Sequence, residues 1–272
     1  MQAIKIKYLL LIFAQIILVA CQNNDGNLTP NTVVVQGYLY VGQQVTNIRV
    51  TQLVPVGNNT TDPTPINNAE VSIQANGQNY LLVPSAGDSG YYNYPNSDLI
   101  ITAGVSYALE VKYQGQITTS TTLAPAKPVG LALTKDTLRI ARVFSVFDIG
   151  NRQTEDLDIN WVNPNQEFHF VLVENIETNP TVINPAAGGG LSNLLPTDPL
   201  RGDTRQVVGA FLAEYGAHRV ILYKINQEYV DLFNSSDQDS RNLNEPLSNV
   251  NNGLGIFTCI NADTASFFVR RP

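Results

Sequence analysis

The sequence predicts an all-β protein made of two β-sandwich units, with one short helix in the second. Three observations lead there. Short runs rich in β-branched and aromatic residues alternate inward and outward between Gly, Pro and Asn turn signals. Charged residues are scarce, at 14% of the chain, whereas Asn, Thr, Gly, Pro and Tyr are plentiful. Beyond the apolar N-terminal segment, only residues 226–234 carry convincing helical spacing.

The N-terminal segment reads as an address. Lys5 and Lys7 precede the apolar run Tyr8 to Val19, which has the length of a secretory h-region. A membrane-spanning helix needs about 20 apolar residues, and this run is shorter, is interrupted by Gln15 and meets the polar Gln22-Asn23-Asn24-Asp25 at once. Leu18-Val19-Ala20-Cys21 resembles the bacterial lipobox. That resemblance implies cleavage after residue 20 and a diacylglycerol-bearing, N-acylated Cys21 as the first mature residue. Membrane lipid, entered through the acylated Cys21, is thus the first expected partner. Three acyl chains would anchor the chain effectively permanently, since each buried methylene contributes about 0.8 kcal/mol. Residues 21–31 follow as a flexible tether.

Residues 32–127 form the first expected sandwich. Val33 to Val41 and Val45 to Thr51 are strand-like, residues 55–65 are a loop, and Ala69 to Ala75 alternates again. Asn76-Gly77 is the strongest hairpin signal in the chain, with Tyr80 to Val83 as the return strand. Gly90-Tyr91-Tyr92, Leu99-Ile100-Ile101, Ala103 to Tyr113 and Gln116 to Thr122 complete the set. Ile66-Asn67-Asn68-Ala69-Glu70-Val71, Gly90-Tyr91 and Ala103-Gly104 leading into Tyr107 to Val111 resemble the transthyretin-like or carboxypeptidase-regulatory type of Ig-like domain. Such modules imply binding or spacing rather than catalysis.

Pro125-Ala126-Lys127-Pro128 is the expected linker, because two prolines favour an extended connection. The second sandwich, 128–272, opens with Leu138 to Phe147 and Leu157 to Val162, then an Asn163-Pro164-Asn165 turn into Glu167 to Glu174. A Trp161 strand, that turn and an aromatic return strand resemble a fibronectin-type sandwich. Residues 178–206 read as a long Pro/Gly/Asn/Thr loop, and loops of that length are uncommon unless functional or disordered. His218 to Lys224 is a strand, and Asn226 caps a helix whose Tyr229, Leu232 and Phe233 share a face. Two more strands, 253–257 and 265–269, end the pattern.

Composition excludes some functions. The chain carries a formal charge of −7 with no basic run, and loss of Lys5 and Lys7 would make it more acidic. Such a chain is a poor binder of nucleic acid, whose affinity rests on neutralising phosphates. With Cys21 lipidated, Cys259 has no disulfide partner, and its apolar setting predicts a buried, inert thiol. His169, between Phe168 and Phe170, is expected on an exposed strand face; His218 stands at a strand start. Neither sits at a recognisable spacing from a nucleophile, and there is no Gly-x-Ser-x-Gly elbow or His-Glu-x-x-His zinc pair. Glu155-Asp156-x-Asp158, and Asp231 with Asp237 and Asp239, are acidic turns that fit no EF-hand loop. Arg201-Gly202-Asp203 is a chance tripeptide in a Gly/Pro-rich region. No catalytic residue, metal site or cofactor is therefore expected.

The binding candidates are Tyr91, Tyr92 and Tyr94. In a strand Tyr92 and Tyr94 share a face that Tyr91 does not, so one face packs inward and the other is free to stack on a sugar or dock a partner.

The opening Val33-Val34-Val35-x-Gly37-Tyr38-Leu39 strand, the Gln227-Glu228-Tyr229 helix start and Pro246-Leu247-Ser248-Asn249-Val250-Asn251-Asn252-Gly253-Leu254-Gly255-Ile256-Phe257 together resemble Bacteroidota outer-membrane lipoproteins of the domain-of-unknown-function 4249 family. The resemblance implies an outer-membrane location, on the surface or the periplasmic face, and a TonB-dependent transporter as neighbour. It implies no catalytic residue. The expected function is a non-enzymatic accessory or ligand-binding partner of that transporter in nutrient uptake, with a small molecule or peptide as ligand. A cell-envelope hydrolase acting on glycans or peptides, and a structural or adhesive surface protein, are the alternatives.

Overall fold

The computed structural model describes residues 32–54, 62–142, 153–183, 194–196, 198–236 and 248–272. The leader, Cys21 and the tether, the 143–147 part of the strand expected from Leu138, the Ala186 to Gly190 stretch, Asp237 and Asp239, and Pro246-Leu247 all lie outside the described residues. The all-β expectation holds, and one α-helix is present among the described residues.

The first core is enclosed by β1 (Val33–Tyr40), β2 (Ile48–Gln52), β3 (Glu70–Ala75), β4 (Gln78–Pro84), β5 (Tyr91–Asn93), β6 (Ser106–Tyr113) and β7 (Gln116–Leu123). β1, β2 and β5 form one layer, and β3, β6 and β7 the other. β4 joins them at a corner, since its residues 78–82 pair with β3 while Val83 and Pro84 pair with β5. Asn76 and Gly77 both take positive φ, 51° and 76°, which is the geometry a two-residue hairpin loop requires. Alternation buries Val33, Val35 and Leu39 from β1 against Val71, Ile73, Leu109 and Val111 from the opposite layer. Leu99 to Ile101 is not a strand, because Ile100 makes only a single bridge to Gln44.

The second core lies between a three-stranded sheet and a larger one. The small sheet runs β13-β10-β8, with β8 at Val129–Leu133, β10 at Leu157–Val162 and β13 at Thr204–Val207. The larger sheet contains β9 (Thr137–Arg139), β11 (His169–Asn175), β12 (Leu194–Pro196), β14 (Gly216–Lys224) and the long β16 (Leu254–Arg270). Between them pack Leu138, Ile159, Trp161, Val171, Val220, Leu222, Phe267 and Val269. The helix α1 (Gln227–Ser236) and the short strand β15 (Val250–Asn251) separate β14 from β16 in the chain.

Two expectations are corrected by β16. The strands expected at 253–257 and 265–269 are one continuous strand. The expected division at residue 128 is crossed, because residues 254–260 pair in parallel with β1 and place Phe257 and Cys259 in the first core. Residues 261–269 then pair with β14 in the second sheet. The hydrogen-bonded path therefore runs unbroken from β12 through β11, β14, β16 and β1 to β2 and on around the first sandwich. Pro125 of the expected linker is buried, and its carbonyl accepts a 2.9 Å hydrogen bond from Asn261 Nδ2.

The Asn-rich motif before β16 closes the first sandwich. Asn249 brackets one peptide, donating from Nδ2 to the Phe257 carbonyl at 2.7 Å and accepting from Phe257 N–H at 3.0 Å. Thr118 and Ser120 on β7 donate to the carbonyls of Asn252 and Asn249. A Cβ on Gly255, whose φ is 109°, would lie 1.9 Å from the Val35 carbonyl oxygen, so only glycine permits this approach.

The 178–206 region is tied into the sheets at several points. Val182 bridges to Glu214, β12 pairs with β11, Leu200 bridges to His169, and β13 pairs with β10. Composition predicted a loop because each of these pieces is too short to display a period of its own.

Candidate functional site

Four neighbouring strands, β11, β14, β16 and β1, turn one face toward the second core or the first. Their other face carries an aromatic cleft. On β1, alternation that buries Val35 and Leu39 sends Tyr38 and Tyr40 outward. On β11, burial of His169 and Val171 sends Phe170 and Leu172 outward, and on β14 burial of Val220 and Leu222 does the same for Tyr223. Register aligns them, with Phe170 opposite Tyr223 and Tyr40 beside Ile260. Ile225, just before α1, and Tyr229, in its first turn, close the space from above. The resulting cleft of about 280 Å³ is lined by four tyrosines and four apolar residues, Phe170, Leu172, Ile225 and Ile260.

The rings have a defined arrangement. Phe170 and Tyr223 stack at 5.6 Å between centroids and 25° between planes. Tyr229 is tilted 45° to Phe170 at 6.4 Å and stands edge-on to Tyr38 at 6.5 Å and 72°. Burial pushes the pKa of all four phenols above the ordinary tyrosine value. Tyr229 adds to the rise at Tyr38 and Tyr40, and Tyr40 adds to it at Tyr223. The four hydroxyls are therefore neutral donor-acceptor groups at any physiological pH. None of them is hydrogen-bonded among the described residues.

The helix that carries Tyr229 is held by the first sandwich. Glu228 Oε1 accepts from Thr122 Oγ1 at 2.7 Å and from Thr258 Oγ1 at 3.3 Å. Asn226 stands at the expected cap position, and its Nδ2 donates to the Leu123 carbonyl at 2.8 Å and to Thr122 Oγ1 at 3.0 Å. Val230 is buried beside Ile225 and Ile260. The cleft is thus built from both halves of the chain, with its floor on the shared strand and its roof clamped to β7.

The tyrosines singled out from sequence are elsewhere, and none lines the cleft. Tyr92 is fully buried in the first core; its hydroxyl donates to the Ile66 carbonyl at 2.9 Å and accepts from Ala69 N–H at 3.0 Å. It therefore cannot meet a ligand. Tyr94 packs edge-on against Tyr80 and donates to Asp98 at 2.9 Å. Tyr91 points to the opposite side, under the Arg49 guanidinium at 5.6 Å. The alternation was read correctly, but two of the three serve the core and the third is held by Arg49. Signals for the real cleft were present in Tyr38 and Tyr40, and in Phe170 and Leu172. A strand apolar on both faces needs cover on both.

The remaining candidates have structural roles. His169 is corrected from exposed to buried, at 2% exposure, packed against Trp161 at 5.6 Å with Nδ1 donating to the Glu167 carbonyl. It does face opposite Phe170, but its own face is the core. His218 is also buried, stacked on Phe267 at 5.0 Å. Burial lowers the pKa of both. Cys259 is buried and its thiol is pushed up to about 12, first by desolvation, so it is not a nucleophile at neutral pH. Glu155 accepts from Arg139 N–H and Asp156 from Gly209 N–H. No cluster of three or more His, Cys, Asp or Glu suited to a metal occurs among the described residues. Arg201 lies 3.9 Å from the centre of the Phe168 ring, and the Arg201 and Gly202 carbonyls accept from Asn163 Nδ2.

Comparison with known proteins is narrow. No curated protein matches the chain. Among solved structures, a two fibronectin type-III domain segment from chicken tenascin matches 88% of this chain and 98% of its own at 11% identity, with a TM-score of 0.26. No helix among the described residues is long and apolar enough to cross a membrane. Residues 22–266 match the family described as a domain of unknown function, DUF4249, and the chain belongs to that family.

Proposed function

We propose that this protein is a non-enzymatic, lipid-anchored outer-membrane lipoprotein that captures a small ligand in the aromatic cleft and serves as an accessory partner of a TonB-dependent transporter. The observation that carries the reading is the cleft itself. Its volume of about 280 Å³ lies just below the roughly 300–1,000 Å³ typical of small-molecule sites, and its lining joins apolar surface to a few polar groups, as such sites require. Four hydroxyls with no hydrogen bond among the described residues, and a stacked ring pair, suit recognition. They supply no nucleophile or general base poised near neutral pH. The lipobox-like Leu18-Val19-Ala20-Cys21 supports the anchor, and the tether would keep the cleft close to the membrane.

Purification from detergent-solubilised membranes of the native host tests the partner. The expected result is co-purification of a TonB-dependent transporter with wild-type protein, and loss of membrane retention in Cys21→Ser. A protein that purifies from those membranes without any transporter sinks the partnership. Protease shaving of intact cells assigns the membrane face.

A further inference from the structure

We propose that the aromatic cleft is a subsite for one ring of a neutral saccharide. This rests on the cleft being a ligand site, and it names the ligand class.

Charge is the first argument. The lining holds no ionised side chain. The cation beside Tyr223, Arg219, is already paired with Glu174. An anion or cation entering the cleft would lose hydration without gaining a counter-charge. Polarity is the second. Tyr38, Tyr40, Tyr223 and Tyr229 bring four hydroxyls that make no hydrogen bond among the described residues, and burial keeps each protonated. A phenol donates one hydrogen bond and accepts others. A purely apolar ligand would shield these groups from water and leave them unpaired, which is costly. A sugar ring offers hydroxyls that both donate and accept, at its rim.

Shape is the third argument. Phe170 and Tyr223 lie nearly parallel, and Tyr229 is tilted against Phe170. Aromatic faces carry negative potential and attract the weakly positive C–H groups that a pyranose presents on its flat side. The cleft volume of about 280 Å³ suits one ring of a longer glycan, with its neighbours in solvent.

Titration calorimetry and saturation-transfer NMR on the purified, soluble chain from residue 22 onward test this, with glucose, maltose, cellobiose, xylobiose and N-acetylglucosamine as probes and choline as the cationic comparison. At least one neutral sugar is expected to bind saturably in the millimolar range or tighter. Tyr229→Ala should weaken it by about tenfold or more, and Tyr223→Phe, which keeps the ring and removes one hydroxyl, by roughly threefold to tenfold. Tyr91→Ala should leave it unchanged. Unaltered circular dichroism and melting of Tyr223→Phe separate lost contact from lost fold. Absence of saturable binding by every sugar, binding indifferent to both cleft variants, or preferential occupation by choline overturns the proposal. Transporter co-purification with a protein that binds no sugar defeats only the ligand class, whereas sugar binding without a transporter defeats only the partnership.

Discussion

The two halves of β16 are one strand with two different surroundings. Residues 256–261 are buried without interruption, whereas from Phe267 to Arg270 burial alternates with exposure. In the first half, Phe257 and Cys259 face the first core while Ile260 turns toward α1 and the cleft, and the Glu228 carboxylate and Asn249 carboxamide cover what lies between. In the second half, Phe267 and Val269 face the second core and Phe268 faces solvent. A strand enclosed on both faces reads as a continuous apolar run, and one with a single core face alternates. The change of pattern near Asn261 marks where the chain passes from being a joint to being a layer.

The largest break in this comparison is expected from glycine. At Gly255 an added Cβ strikes the Val35 carbonyl, which belongs to the neighbouring strand and cannot yield. Gly255→Ala should cost more than about 4 kcal/mol, seen as loss of the folded far-UV and near-UV circular dichroism signals. Gly216, opposite Val269 in the second half, also has positive φ, but the atoms a Cβ would meet belong to the Glu177 side chain, which moves at the cost of its hydrogen bond from Ala217 N–H. Gly216→Ala should cost about 2–3 kcal/mol, the left-handed penalty plus that lost hydrogen bond, in denaturant titration. Equal effects would mean that the halves are held alike.

Phenylalanine sharpens the contrast. Phe257 is 0% exposed and Phe268 is 45% exposed. Phe257→Ala should therefore destabilise by about 3–5 kcal/mol and Phe268→Ala by less than about 1 kcal/mol, from urea unfolding midpoints. Comparable losses would contradict the one-sided burial of the second half.

Acid gives the smallest and most selective effect. Both histidines lie in the second core, and burial holds each below the ordinary value of 6.5. An unfolded chain takes up protons on these rings as pH falls through 6.5, while the folded chain resists until its lowered value is reached. Stability is thus complete above pH 6.5 and declines between that point and the lowered folded values. Thermal melts between pH 7.5 and 5 should show the decline, with Trp161 fluorescence reporting the second core. His218→Phe should shrink it. A pH-independent Trp161 transition would refute the assignment.

Much of the fold was legible because alternation is a local signal. Val33 to Tyr40, the Asn76-Gly77 hairpin and Leu157 to Val162 each declare themselves within a few residues. The joint was not legible, since pairing of Val34 with Leu254 and of Asn261 with Pro125 depends on partners far apart in the chain. The cleft was legible in pieces only. Tyr38, Phe170, Tyr223 and Tyr229 come from four separate elements, and strand register together with the docking of α1 brings them together. Tyr91, Tyr92 and Tyr94 drew attention by clustering in sequence, yet strand alternation is what separates them. His169 was misplaced because Phe168 and Phe170 looked like the inward side, when both sides of β11 are covered.

The shared strand also orders events in time. β1 is among the first segments to emerge during synthesis, and its parallel partner, residues 254–260, is among the last. Closing that pairing must bring together ends separated by nearly the whole described chain, and such distant pairings are slow to form. Until then β1 presents a bare edge and the first core lacks Phe257, so the first half cannot mature ahead of the second.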